Sequence, residues 1–80
     1  MVSVKTEFPD RYRRLGIKIA YYRKLAGLTQ AELAERIDKS TAFLGQVEAP
    51  GIVCGISLET LFKIARELDI PPEKLLENSD

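Results

Sequence analysis

Side chains able to do covalent or acid–base chemistry are sparse in this chain of 80 residues. There is no His, and Cys54 is the single Cys, so the commonest general base and metal ligand is missing, no internal disulfide can form, and no cysteine cluster can hold zinc. Carboxylates and tyrosines are present, but no spacing sets a nucleophile beside a base, so neither catalysis nor a cofactor is expected. Cys54 itself reads as a small apolar filler rather than a redox switch. The chemistry that remains is recognition. Hydroxyls and amides gather between residues 29 and 48, TQAELAERIDKSTAFLGQVE, where Thr29, Gln30, Ser40, Thr41 and Gln46 could hydrogen-bond a polar polymer.

Placing those groups is the task of short helices. From Arg11 onward, Leu15, Ile19, Tyr22 and Ala26 recur at i, i+4, i+7 and i+11, the apolar stripe of an amphipathic helix that Gly27 ends. Thr29 and Glu32 form a T-x-x-E capping box, with Leu28 placed to staple against Leu33, which fixes the start of a second helix. That helix ends near Ile37, and Asp38 falls at a turn where a positive φ is often needed. Ser40 then caps a third helix that buries Leu44 and Val47. Two short helices about a tight turn make a helix-turn-helix, an arrangement that usually reads DNA.

The stretch 49–56, APGIVCGI, reads as a loop, after which Ser57 caps a fourth helix from about Leu58 to Leu68 with Leu61, Ile64, Ala65 and Leu68 inward. Asp69 closes that helix. Pro72 suits the first turn of a fifth, from which Leu75 and Leu76 return to the core. The expected fold is all-α: a flexible arm over residues 1–10, then one compact five-helix domain over 11–80. No apolar run reaches the length of a membrane span, and the opening MVSVKTEFPD lacks the layout of a secretory signal, which points to the cytoplasm.

Net charge is zero at pH 7, yet the charge is unevenly spread. Residues 1–28 hold seven basic and two acidic side chains, and residues 29–80 hold five basic and ten acidic ones. Either one end faces a polyanion while the other faces away, or both sets are ordinary solvated helix faces.

Taken together, RKLAGLTQAELAERI, the small Ala34 at the helix crossing, and SLETLFKIARELDIPPEKLLE resemble the Cro/repressor, XRE-like and lambda-repressor-like, helix-turn-helix family over roughly Leu15 to Leu76. The resemblance implies that the second helix sets its N-terminus against the phosphate backbone while the third enters the major groove. Thr29 and Gln30 match the phosphate-contacting positions, and Thr29 can also serve as the cap. Thr41, Ala42 and Gln46 match the base-facing ones, with Ser40 and Phe43 near the backbone and Lys39 beside them. Arg23 and Glu48 match a pair that bridges the first helix to the end of the third, which would hold Arg23 near the phosphates.

Gln46 can offer its amide to adenine and Thr41 or Ala42 can meet a thymine methyl, so A·T-rich half-sites are expected. The third helix has no Arg or Lys, and with it no bidentate guanine contact worth about 1–3 kcal/mol of discrimination, which leaves modest selectivity or reliance on DNA shape. Phe43 is either core packing or a contact for a sugar or a partner. Gly45 lowers helix propensity, which points to a close approach at that site. The chain departs from the family pattern after Glu48, where the loop is apolar rather than basic.

Two functions compete on this reading. The first is a sequence-specific DNA-binding transcriptional regulator, a repressor that meets double-stranded DNA as a homodimer. The second keeps the fold but makes it a protein-interaction module, with Phe43 and the 50–56 loop as the surface for a partner protein. The position of Arg11, Arg13, Arg14, Lys18, Arg23 and Lys39 relative to the third helix discriminates between them.

Overall fold

Three hydroxyls set three helix starts. In the computed structural model, which describes residues 5–77, the Thr29 hydroxyl accepts from the Glu32 N–H (3.0 Å), that of Ser40 from Phe43 (3.0 Å) and that of Ser57 from Thr60 (3.1 Å). Each satisfies one of the donors that a helix start leaves unpaired. The resulting helices are α1 (Pro9–Leu25), α2 (Gln30–Arg36), α3 (Thr41–Glu48), α4 (Leu58–Glu67) and α5 (Glu73–Leu76). No strand occurs among the described residues, and no helix among them is long and apolar enough to cross a membrane.

The helix ends share one device. Gly27, Asp38 and Asp69 take left-handed φ values of 76°, 62° and 57°. The next residue in each case folds its N–H back to a carbonyl five positions earlier: Leu28 to Arg23 (3.1 Å), Lys39 to Ala34 (2.9 Å) and Ile70 to Ala65 (3.0 Å). Asp tolerates that conformation better than most side chains, which is why these α2 and α4 exits work without glycine.

Ile19, Leu33, Ile37, Leu44, Ile64 and Leu75 are fully buried, so every helix sends at least one large aliphatic side chain, from itself or its cap, into one core. Leu28 packs against that core at the position preceding the α2 cap. At the α1–α3 crossing, a Cβ on Gly16 would be driven into the Val47 carbonyl oxygen and would stand 3.1 Å from the Val47 carbonyl carbon. A glycine is what lets these two backbones touch.

Several expectations are corrected. Helix α1 reaches into the expected arm, because Pro9 at the first turn opens it and Asp10 lies within it; residues 1–4 of that expected arm and residues 78–80 lie outside the described part. Ala26 is the exposed C-cap of α1 rather than the last inward residue, and α1 buries Arg23 instead. Leu76 is 59% exposed, since α5 is a single turn and only Leu75 can point inward from it. The 50–56 loop turns Cys54 into the core and packs Ile56 against it, leaving Ile52 as its exposed large apolar side chain.

Candidate nucleic-acid interface

The two helices of the motif present different chemistry. In α2 the capping box is complete: the Thr29 N–H donates to Glu32 Oε1 at 2.8 Å while the Glu32 N–H donates to the Thr29 hydroxyl. Hydrogen bonds from Thr29, the backbone one first, hold the Glu32 carboxyl below its ordinary pKa. With those donors engaged, helix geometry leaves the N–H groups of Gln30 and Ala31 facing outward, where a phosphate oxygen would satisfy them.

The outward side of α3 carries Thr41 and Ala42, both exposed, with Gly45 and Gln46 half-buried one turn on. The opposite side buries Leu44, Val47 and Glu48. Ser40 is exposed at the cap, where its hydroxyl is committed to Phe43 N–H. Phe43 follows the core-packing reading in part: its ring is half-buried against the core, and Lys39 Nζ stands 5.4 Å from the ring centroid. That cation–π contact sets the Lys39 charge beside the α3 N-terminus.

Behind this surface lies a buried polar cluster. Arg23 is 7% exposed and Glu48 8% exposed. The Arg23 Nε and Nη2 donate to the two Glu48 carboxylate oxygens, each at 2.8 Å, and Nη1 donates to the Leu28 carbonyl at 2.7 Å. The hydrogen bonds to Glu48 raise the Arg23 pKa against the opposing effect of burial. Glu48 Oε1 also accepts from Gln30 Nε2 at 3.0 Å, so one carboxylate ties α1, α2 and α3 together. Among the described residues no buried side-chain N or O atom lacks a partner, as a buried ion pair requires.

The expected bridge between Arg23 and Glu48 is present, and the cluster adds to two assignments. Arg23 is spent internally and positions Gln30 through Glu48. Gln30 is not a freely extended side chain: with Nε2 held by Glu48, a Cβ added at Gly45 would sit 3.6 Å from Gln30 Oε1. That is ordinary van der Waals distance, so the close approach expected at Gly45 occurs at Gly16 instead. The Gln30 tie was missed in the sequence because it joins residues 18 positions apart.

The cations of the N-terminal third do not collect at α3. Arg11 and Arg14 border the groove between α1 and α5, Lys18 borders a depression shared with Tyr21 and Glu77, and Arg13 pairs with Asp10 at 3.1 Å. Of the six cations whose position discriminates between the two functions, Lys39 and the buried Arg23 are the ones placed beside the motif.

Comparison with known proteins agrees with this architecture. A family model described as helix-turn-helix matches residues 19–75. A comparison with curated protein sequences finds no match. Among solved structures, the restriction-modification controller protein C.AhdI from Aeromonas hydrophila is 30% identical, with a TM-score of 0.73 over 80% of this chain and 94% of that one. The N-terminal DNA binding domain of SinR from Bacillus subtilis is 28% identical, with a TM-score of 0.74 over 84% and 96%. SinR, the master regulator for biofilm formation, in complex with DNA gives 30% identity and a TM-score of 0.71 over 79% and 98%. These relatives are regulators rather than enzymes. On the matched residues and the shared five-helix architecture, the chain belongs to the Cro/repressor, XRE-like helix-turn-helix family.

Proposed function

We propose that this protein is a sequence-specific DNA-binding transcriptional regulator of the cytoplasm, acting as a repressor by occupying its site with α3 in the major groove. The observation that carries the reading is the outward face of α3. Thr41 and Ala42 are exposed and Gln46 half-buried on a helix whose other side is buried, with Lys39 and the α2 N-terminus flanking it. Thr41 and Ala42 meet thymine methyls, Gln46 reads adenine, and the α2 amides, Gln30 and Lys39 hold the backbone. A solved SinR complex contains DNA, and this chain shares its fold over most of its length.

A homodimer suits the second exposed apolar region. Phe8, Leu58 and Leu76 are each more than half exposed and line one groove of about 290 Å³ with Tyr12, Leu15 and Ile56. A second copy related by a two-fold axis would cover the groove and place two copies of α3 on half-sites about one helical turn apart. The interaction-module reading keeps only part of its stated surface, because Cys54 and Ile56 turn inward and Phe43 packs in part against the core, leaving Ile52 as the exposed large apolar side chain of the loop.

The test is selection from randomised duplexes followed by titration at two salt concentrations, with sedimentation to count subunits. Gln46→Ala is expected to change which sequences are selected, whereas Gln30→Ala weakens selected and random duplexes alike. The logarithm of affinity is expected to fall with that of salt, by about 0.9 per phosphate neutralised. Equal losses for both variants on both kinds of duplex would reject the role assignments, and no retained duplex at low salt would reject DNA binding.

A further inference from the structure

The side of α1 turned away from α3 has a composition that neither the core nor the motif explains. Ile17, Tyr21 and Leu25 are 52%, 57% and 65% exposed, and they recur at i, i+4 and i+8, forming an apolar seam that runs obliquely along the helix. At 1.5 Å per residue the seam is about 12 Å long. Beside it lies a depression of about 380 Å³ lined by Ile17, Lys18, Tyr21, Tyr22 and Glu77. Tyr21 and Tyr22 meet edge to face there, with centroids 5.0 Å apart, which gives the depression a fixed aromatic wall.

Basic side chains flank the seam on both sides. On the helix surface Lys24 falls along one edge and Arg14 and Lys18 along the other, while Arg13 continues the row N-terminal to Ile17 and is paired to Asp10. These are the cations of the N-terminal charge excess that do not reach the motif. Large apolar side chains standing in a line are unusual on a solvated helix face, and a positive border sets the sign of what can cover them.

We propose that this face docks an acidic amphipathic helix of a partner protein, whose apolar side chains lie along Ile17, Tyr21 and Leu25 and whose carboxylates meet the basic borders. A second copy of α1 would bring the same positive borders into contact and repel. A lipid surface would use the charge and the seam but not the walled depression, which suits an inserted side chain. The seam and α3 lie on different sides of α1, so a docked helix leaves the DNA-facing surface open, and the proposal stands whether or not the α3 assignments hold.

The probe is a synthetic peptide of about twenty residues, long enough to form a helix, with Leu at i, i+4, i+7 and i+11 and Glu on the flanks. The control replaces each Glu by Lys. Both are titrated into the full 15N-labelled chain, with amide shifts recorded. The acidic peptide is expected to shift residues 17–25 and to bind about tenfold or more weakly to Tyr21→Glu or Leu25→Glu. It is also expected to bind less well to Lys24→Glu and at higher salt. Tyr21 and Leu25 are more than half exposed and Lys24 is exposed, so the variants should fold, which their amide spectra check. Equal binding of the Lys peptide, shifts centred on Leu58 and Leu76, or no shift at millimolar peptide would each overturn the proposal. So would self-association that Tyr21→Glu abolishes, or tighter binding to phosphatidylserine vesicles than to the peptide.

Discussion

Two glycines inside helices should respond to alanine with opposite signs. In an unobstructed helix interior, Gly→Ala stabilises by up to about 1 kcal/mol through backbone entropy. At Gly45 the added Cβ would find its nearest neighbour, Gln30 Oε1, at 3.6 Å, so the propensity gain should survive. At Gly16 the added Cβ would collide with the Val47 carbonyl oxygen and approach Glu48 Cα to 3.5 Å. Those are backbone atoms of α3 and cannot rotate aside, so α1 and α3 must separate. Overpacking of this kind costs about 1–3 kcal/mol and more where backbone must move, which exceeds the propensity gain. For a domain of this size each kcal/mol moves the melting temperature by roughly 4–8 °C. Gly16→Ala should therefore melt lower by several degrees or more, and Gly45→Ala at or above the parent. Thermal unfolding followed by far-UV circular dichroism decides it. A melting temperature for Gly16→Ala equal to or above the parent would refute the claim that the α1–α3 crossing is set by direct backbone contact.

Arg23→Met leaves the buried Glu48 carboxylate without its cation and should cost about 3–5 kcal/mol in urea unfolding; Arg23→Met with Glu48→Leu should recover most of that, and no recovery would show that the pair is not the cause. Glu32 has a folded-state pKa below its ordinary 4.5, so its contribution is complete above that pH and lost as pH falls through the lower folded value. Glu32→Gln should accordingly narrow the stability difference between pH 7 and acid, and an unchanged difference would remove the capping box as its source. Cys54 is 3% exposed and burial pushes its thiol pKa up, so iodoacetamide should label it slowly in the native protein and quickly in urea. Rapid native labelling at neutral pH would contradict the inward loop.

What could be read from the sequence was what the sequence encodes over three to five residues. Thr29, Ser40 and Ser57 each hold an N–H three positions on, and Asp38 takes the positive φ expected of its turn. The inward stripes of α2, α3 and α4 follow from helical period alone. Features set by another helix were not legible. Gly16 looks like an ordinary weak spot in α1 until Val47 is placed against it. Gln30 matches a phosphate-contacting position in type, but its tie to Glu48 depends on how α2 and α3 cross. Leu76 follows the apolar pattern and still ends outside, because α5 has one turn and one inward position. The basic excess of the first 28 residues is real as a count, yet it divides around α1 instead of facing the motif.

Glu48 shows why a buried charge can belong in so small a core. Removing two charges from water is costly, and a hydrophobic pair of similar volume is often as stable, so stability alone is a weak account of the Arg23–Glu48 bridge. Geometry is a stronger one. The two Arg23 hydrogen bonds fix the carboxylate plane, and the third, to Leu28, anchors the guanidinium at the end of the α1–α2 turn. A carboxylate so held accepts from Gln30 Nε2, which decides the orientation of that amide: a flipped amide would set oxygen against oxygen. Gly45 adds no side chain over the Gln30 carbonyl oxygen. Gln30 is therefore a polar group with its rotamer and its acceptor direction settled before any ligand arrives, and a side chain already ordered loses less entropy when it binds. The scaffold places that fixed group against Gly45 and Glu48 of α3, so the crossing of α2 and α3 is also what sets its direction.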